Sequence, residues 1–151
     1  MSERPPEQKM PDAIAAPGHE IVLTLHAEGA QIYEWKPDAS DTLSWVLREP
    51  TATLIHDGKT VGRHYAGPNW EHHDGSAIDG KAIANAPATT TNDIPWLKIE
   101  VISKRGSGGL SGVTTVQRIN TVGGKPDKTP GQPGAFLNVA YSADYVFLKK
   151  K

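Results

Sequence analysis

From Glu20 onward the chain alternates. Ile21, Leu23, Leu25 and Ala27 fall on one face of an extended segment, and Val22, Thr24 and His26 fall on the other. That period of two marks a β-strand with one buried face. Gly29 interrupts the pattern and Gln31 to Trp35 resumes it, with Ile32 opposed by Tyr33 and Trp35. A turn cluster over Lys36 to Thr42 precedes short apolar strands at 43–47, which carries Trp45, and at 51–55, rich in β-branched residues. His56-Asp57-Gly58-Lys59 centres on Asp-Gly, the strongest short hairpin signal in the chain, and predicts a returning strand at 60–65. Ala66 to Ser76, AGPNWEHHDGS, reads as a loop. Strand patterns return at 77–85, with Gly80 as a bulge, at 94–103 and 113–122, and at 135–140 and 144–148. No segment carries a sustained apolar stripe at i, i+3 and i+4 with caps, so no long helix is expected.

Nine or ten short strands predict an all-β fold, a compact antiparallel β-sandwich whose sheets each bury one face. The expected plan is a flexible N-terminal arm over 1–17, closed by Pro17-Gly18, one sandwich domain over 18–148, and a basic tail over 149–151. Composition agrees. The 151 residues hold 15 Gly and 12 Pro, more than average usage, which calls for many tight turns.

Charge and cysteine content narrow the functional classes. Sixteen basic and 17 acidic side chains leave a net charge of -1, without the basic excess of a nucleic-acid binder. The absence of cysteine excludes disulfides, thiolate-bound zinc and cysteine nucleophiles. No apolar run approaches the ~20 residues of a membrane span. The first 20 residues lack the apolar core of a signal peptide, which fits a cytosolic protein or a mature form restarted on methionine.

Several words recur in a familiar order: Gln31-Ile32-Tyr33-Glu34, Trp45-Val46-Leu47, Asp57-Gly58-Lys59, His64-Tyr65-Ala66-Gly67-Pro68 with Trp70-Glu71, and Asp74-Gly75-Ser76. They continue through Ile94-Pro95-Trp96-Leu97, Gly112-Val113-Thr114, Gln117-Arg118-Ile119-Asn120-Thr121 and Tyr141-Ser142-Ala143-Asp144-Tyr145. From about Pro17 to Leu148 the chain resembles the domain-of-unknown-function family 3455. The resemblance implies an extracellular or periplasmic protein of bacterial or fungal type, and implies no reaction. Members are sometimes labelled dehydrogenases, but the Gly-rich strand-to-helix turn of dinucleotide sites is missing here. Similar members carry a cysteine after the Ile-Tyr-Glu word, where this chain has Trp35, and a second in the loop matching Lys125 to Gly134. The resemblance implies that this pair would be a disulfide, which this chain does without.

Three clusters could carry chemistry. His64, His72 and His73, near Glu71 and Asp74, have ligand types suited to copper or zinc, with redox or hydrolytic activity as a consequence. The competing and favoured reading of His64 is a structural ring hydrogen-bonded to a loop carbonyl. Tyr65, Asn69, Trp70, Glu71 and Asp74 offer a stacking ring and polar groups for a small molecule or glycan, whereas packing alone would also explain Trp70. Arg118 could hold an anion if its face is wet, or pair with Glu34 or Asp144 if buried. No nucleophile elbow or P-loop is present. The expected function is a non-enzymatic binding or structural module that uses the 66–76 loop and needs no cofactor, with a copper or zinc protein as the alternative.

Overall fold

The computed structural model describes residues 9–151. Eight strands form one antiparallel sheet: β1 (His19–Pro37), β2 (Leu43–His56), β3 (Lys59–Tyr65), β4 (Asn69–His72), β5 (Ala77–Ala86), β6 (Trp96–Arg105), β7 (Thr115–Gly123) and β8 (Phe136–Lys150). Each pairs with the next, and β8 returns to β1, so the sheet closes into a barrel. The all-β antiparallel expectation holds, as does the absence of a long helix among the described residues. The arrangement differs from the expected sandwich. Two packed sheets and a closed barrel bury the same alternate residues, and what distinguishes them is the β1–β8 ladder, which runs from His19–Lys150 to Glu34–Phe136.

Ten expected strands become eight because three apparent breaks are continuous and one apparent loop holds a strand. Gly29 lies within β1; a Cβ there would stand 2.0 Å from the Thr51 carbonyl oxygen, so its bare backbone lets β2 pass close by. Pro50 lies within β2 where that strand has only β1 as a neighbour, since pairing with β3 starts at Ala52–His64. Tyr141 to Ala143 continue β8. The 66–76 segment contains β4. The Asp-Gly hairpin forms as expected, with φ of 50° at Asp57 and 75° at Gly58, the paired positive values of a tight hairpin turn. The register shift at Asp79/Gly80 is the expected bulge.

Alternation sends two sets of residues to two cores. Leu25, Ala27, Leu54, Trp70, Ile78, Ile99, Val116, Tyr145 and Phe147 fill the interior. On the outer wall, Ile14 packs with Ala86, Ile119, Val146 and Leu148. The part of the expected arm from residue 9 on is therefore fastened: Asp12–Ile14 forms a 3₁₀ turn, Gln117 donates to the Ile14 carbonyl at 2.8 Å and Lys98 to the Ala15 carbonyl at 2.9 Å. Residues 1–8 of that arm lie outside the described residues. Lys149 and Lys150 are not a tail but the last residues of β8, and Lys149 reaches Glu20 at 3.6 Å.

The turns alternate between the two ends of the barrel. One end is plugged. The loop between β6 and β7 folds across it and inserts Leu110, fully buried. Asp74 holds that loop by accepting from the Gly109 amide at 2.8 Å and from the Ser76 amide and hydroxyl at 2.9 and 2.6 Å. The Ser76 hydroxyl oxygen in turn accepts from the Leu110 amide at 3.1 Å. Those three donors hold the Asp74 carboxyl down at about 2, the Gly109 amide contributing most.

Candidate functional site

The opposite end is hollow. A cavity of about 300 Å³ opens beside the Ala66-Gly67-Pro68 turn. Leu47, Pro50, Leu97 and Ile99 give it apolar walls, and Gln31, His64, Trp70, Arg118 and Tyr145 supply rings and polar groups. Each polar residue stands on a strand at an inward position. Gln31 continues the Leu25, Ala27, Gly29 stripe of β1, and Arg118 follows Val116 on β7. A second hollow of about 390 Å³ lies among His19, Lys98, Lys104 and Lys150, but no tryptophan, tyrosine or phenylalanine lines it.

His64 is 3% exposed, stacked on Trp70 with ring centroids 4.7 Å apart. Its Nδ1 lies 2.8 Å from the Asn69 carbonyl oxygen, which can only accept, so Nδ1 carries the proton. Nε2 then accepts from the Tyr145 hydroxyl at 3.3 Å, and Tyr145 accepts from Tyr141 at 3.1 Å. A backbone carbonyl thus sets the direction of a chain running Tyr141, Tyr145, His64, Asn69. Burial first, and the positive charge of Arg118 second, pull the His64 ring down to about 4, so it is neutral at pH 7. Burial likewise raises the hydroxyls of Tyr141 and Tyr145 well above the ordinary tyrosine range.

Two polar groups at the cavity are unsatisfied. Gln31 is 3% exposed and its Oε1 has no hydrogen-bond partner; Trp70, fully buried, has an Nε1–H with none. Such orphans are uncommon in folded proteins. Arg118 uses its Nε and Nη2 on the Pro95 carbonyl at 3.0 and 2.8 Å, and no carboxylate pairs with it among the described residues. The expected acid partners are engaged elsewhere: Asp144 holds His26 and Asn120, each at 2.9 Å, and Glu34 faces Lys36 at 3.9 Å.

The structure separates the residues that the sequence had grouped. Because β4 runs through the 66–76 segment, its start sits at the open mouth and its end at the plug. Trp70 and Arg118 line the cavity. Asn69 supports it, donating from Nδ2 to the Ala66 carbonyl at 2.7 Å. Tyr65 and Glu71 instead join a surface network. The Tyr65 hydroxyl donates to Glu71 at 3.0 Å and accepts from Arg105, while Arg63 reaches Glu71 at 3.2 Å. Asp74 belongs to the plug.

His64, His72 and His73 are not gathered. His64 is inside with both ring nitrogens engaged, the Nδ1 of His72 accepts from the Asp74 amide at 3.0 Å, and His73 is exposed. No group of three metal-ligating side chains occurs among the described residues. Sequence reasoning missed Gln31 and Tyr145; the signal was a polar residue in an inward stripe.

The fold and the site define an eight-stranded antiparallel barrel, plugged at one end and hollow at the other. The chain belongs to the family described as protein of unknown function (DUF3455), whose model matches residues 16–149, nearly the whole chain. No curated protein and no solved structure matches it. No helix of the described residues is long and apolar enough to cross a membrane.

Proposed function

We propose that the protein is a non-enzymatic binding module that takes a small molecule into the open mouth of the barrel, and that it works outside the cytoplasm, as the family resemblance implies. The observation that carries this reading is the buried, unpartnered amide oxygen of Gln31 at a cavity wall, beside an arginine without a carboxylate. A folded chain ordinarily satisfies such groups itself, and here a guest would do so. Barrels of eight strands have interiors of the right width for one small ligand. The neutral His64, with both nitrogens engaged, holds the wall in shape and leaves no free base for catalysis. The start of the 66–76 segment contributes to this site, and the rest of the segment serves the barrel wall and the plug.

The test is a screen of small organic anions and glycans by thermal shift and by tryptophan fluorescence. A ligand is expected to raise the melting temperature and to perturb Trp70 emission. If its effect survives unchanged when Ala82, on the cavity wall, is enlarged to Phe, the mouth is not the site.

A further inference from the structure

We infer that the guest is a small monocarboxylate with an apolar, ring-sized body and a hydroxyl group, a hydroxybenzoate-like acid; this rests on the barrel mouth being the binding site. Four observations select that class. The first is size. At the roughly 30 Å³ that one water occupies in the liquid, a cavity of about 300 Å³ holds about ten non-hydrogen atoms.

The second is charge. The Pro95 carbonyl takes Nε and Nη2 of Arg118 and so fixes the guanidinium plane. Of the five N–H donors of an arginine, the remaining three lie on Nη1 and Nη2; one of them serves the Tyr145 hydroxyl, and the other two are left for a carboxylate. Arg48 and Glu49 also line the cavity but pair with each other at 3.5 Å, so the guanidinium left to balance one negative charge is that of Arg118. A phosphate dianion would leave an unbalanced charge against Leu47, Pro50, Leu97 and Ile99.

The third is the remaining polar demand. Gln31 Oε1 needs a donor and Trp70 Nε1 needs an acceptor. A hydroxyl both donates and accepts, so it answers either demand, and it serves Gln31 whichever way the amide is turned. The fourth is the wall itself, which is apolar and aromatic between those groups, as a ring-sized body requires.

Calorimetric titration of the full chain with 4-hydroxybenzoate, benzoate, 4-hydroxybenzamide and inorganic phosphate tests the inference. The hydroxy acid is expected to bind best. The amide, which lacks the charge, and benzoate, which lacks the hydroxyl, should each bind about tenfold more weakly. In Arg118→Gln the acid and the amide should bind alike, and Arg118→Lys should fall between. Should Arg118→Gln fail to fold, the acid-to-amide ratio in the unmodified chain decides.

Equal affinity for acid and amide overturns the carboxylate inference but leaves the mouth as a binding site. Phosphate binding as tightly as the acid overturns it too, in favour of any small anion. Binding of none of the four at millimolar concentration overturns the inference for this class, and it overturns the mouth reading as well when the broader screen also yields no ligand.

Discussion

The two ends of the barrel solve the same problem in opposite ways. At the plugged end the loop that enters the core has its partners: the Asp74 carboxylate and the Ser76 hydroxyl satisfy the amides that bring Leu110 inside. At the open end the chain leaves Gln31 Oε1 and Trp70 Nε1 without partners, and among the described residues no carboxylate pairs with Arg118. Both ends are rich in polar residues, so polarity alone does not mark a site. The unfinished network at the mouth, beside a cavity, is what the proposed guest would complete.

That contrast can be broken at either end. The largest effect is expected from Leu110→Ala, which should cost about 3 kcal/mol in urea denaturation, the usual range for a buried leucine in a packed site. It should leave affinity at the mouth untouched; a tenfold change there would show that the ends are coupled.

Acid should undo the ends in order. The buried His64 ring sits at about 4, against 6.5 when exposed, so the unfolded chain binds a proton that the folded chain refuses. Its contribution is complete above pH 6.5 and is lost as pH falls toward 4, about 3 kcal/mol in all. Asp74, at about 2 against 3.8, also stabilises in its charged form, and its contribution disappears only between pH 3.8 and 2. Denaturation midpoints measured from pH 8 to pH 3 should therefore fall first with His64. A curve unchanged by His64→Gln between pH 6.5 and 4 would remove the histidine from this account.

Asp74→Ala leaves the Gly109 and Ser76 amides without their acceptor and should cost about 1–2 kcal/mol. It should also make the β6–β7 loop a faster target for proteolysis. The smallest effect has the opposite sign. Gln31→Met removes a buried orphan acceptor and should stabilise the chain by about 1 kcal/mol while weakening ligand binding. A loss of stability instead would mean that Gln31 is already satisfied.

Much of the wall was legible. The Asp57-Gly58 turn, the Gly80 bulge and the long strands at β6 and β7 were readable because turn chemistry and alternation are local. Gly29 reads as punctuation on its own, and so would Pro50, which falls between the strands expected at 43–47 and 51–55. Gly29 is needed because another strand approaches, and Pro50 is tolerated because a strand is missing beside it; both are facts about neighbours distant in sequence. Barrel closure was hidden for the same reason. The site was half legible. Arg118 and Trp70 stand out in the sequence, but turn residues make 66–76 look like one surface. The four residues of β4, too few to show a period, carry it from one end of the barrel to the other. Gln31 hid in plain sight, polar in an apolar stripe.

The closing ladder also bears on how the chain reaches this state. β1 and β8 are the first and last strands, and their partners are far apart, His26 and Asp144 by 118 positions. No local hairpin can bring them together, so the loop-closure entropy is met late and folding is expected in milliseconds to seconds rather than microseconds. Until β8 arrives, β1 and β7 present bare backbone edges able to template pairing with other chains. Release of the chain before its last strand is available would favour aggregation, and during synthesis the nascent protein depends on whatever shields those edges in the interval.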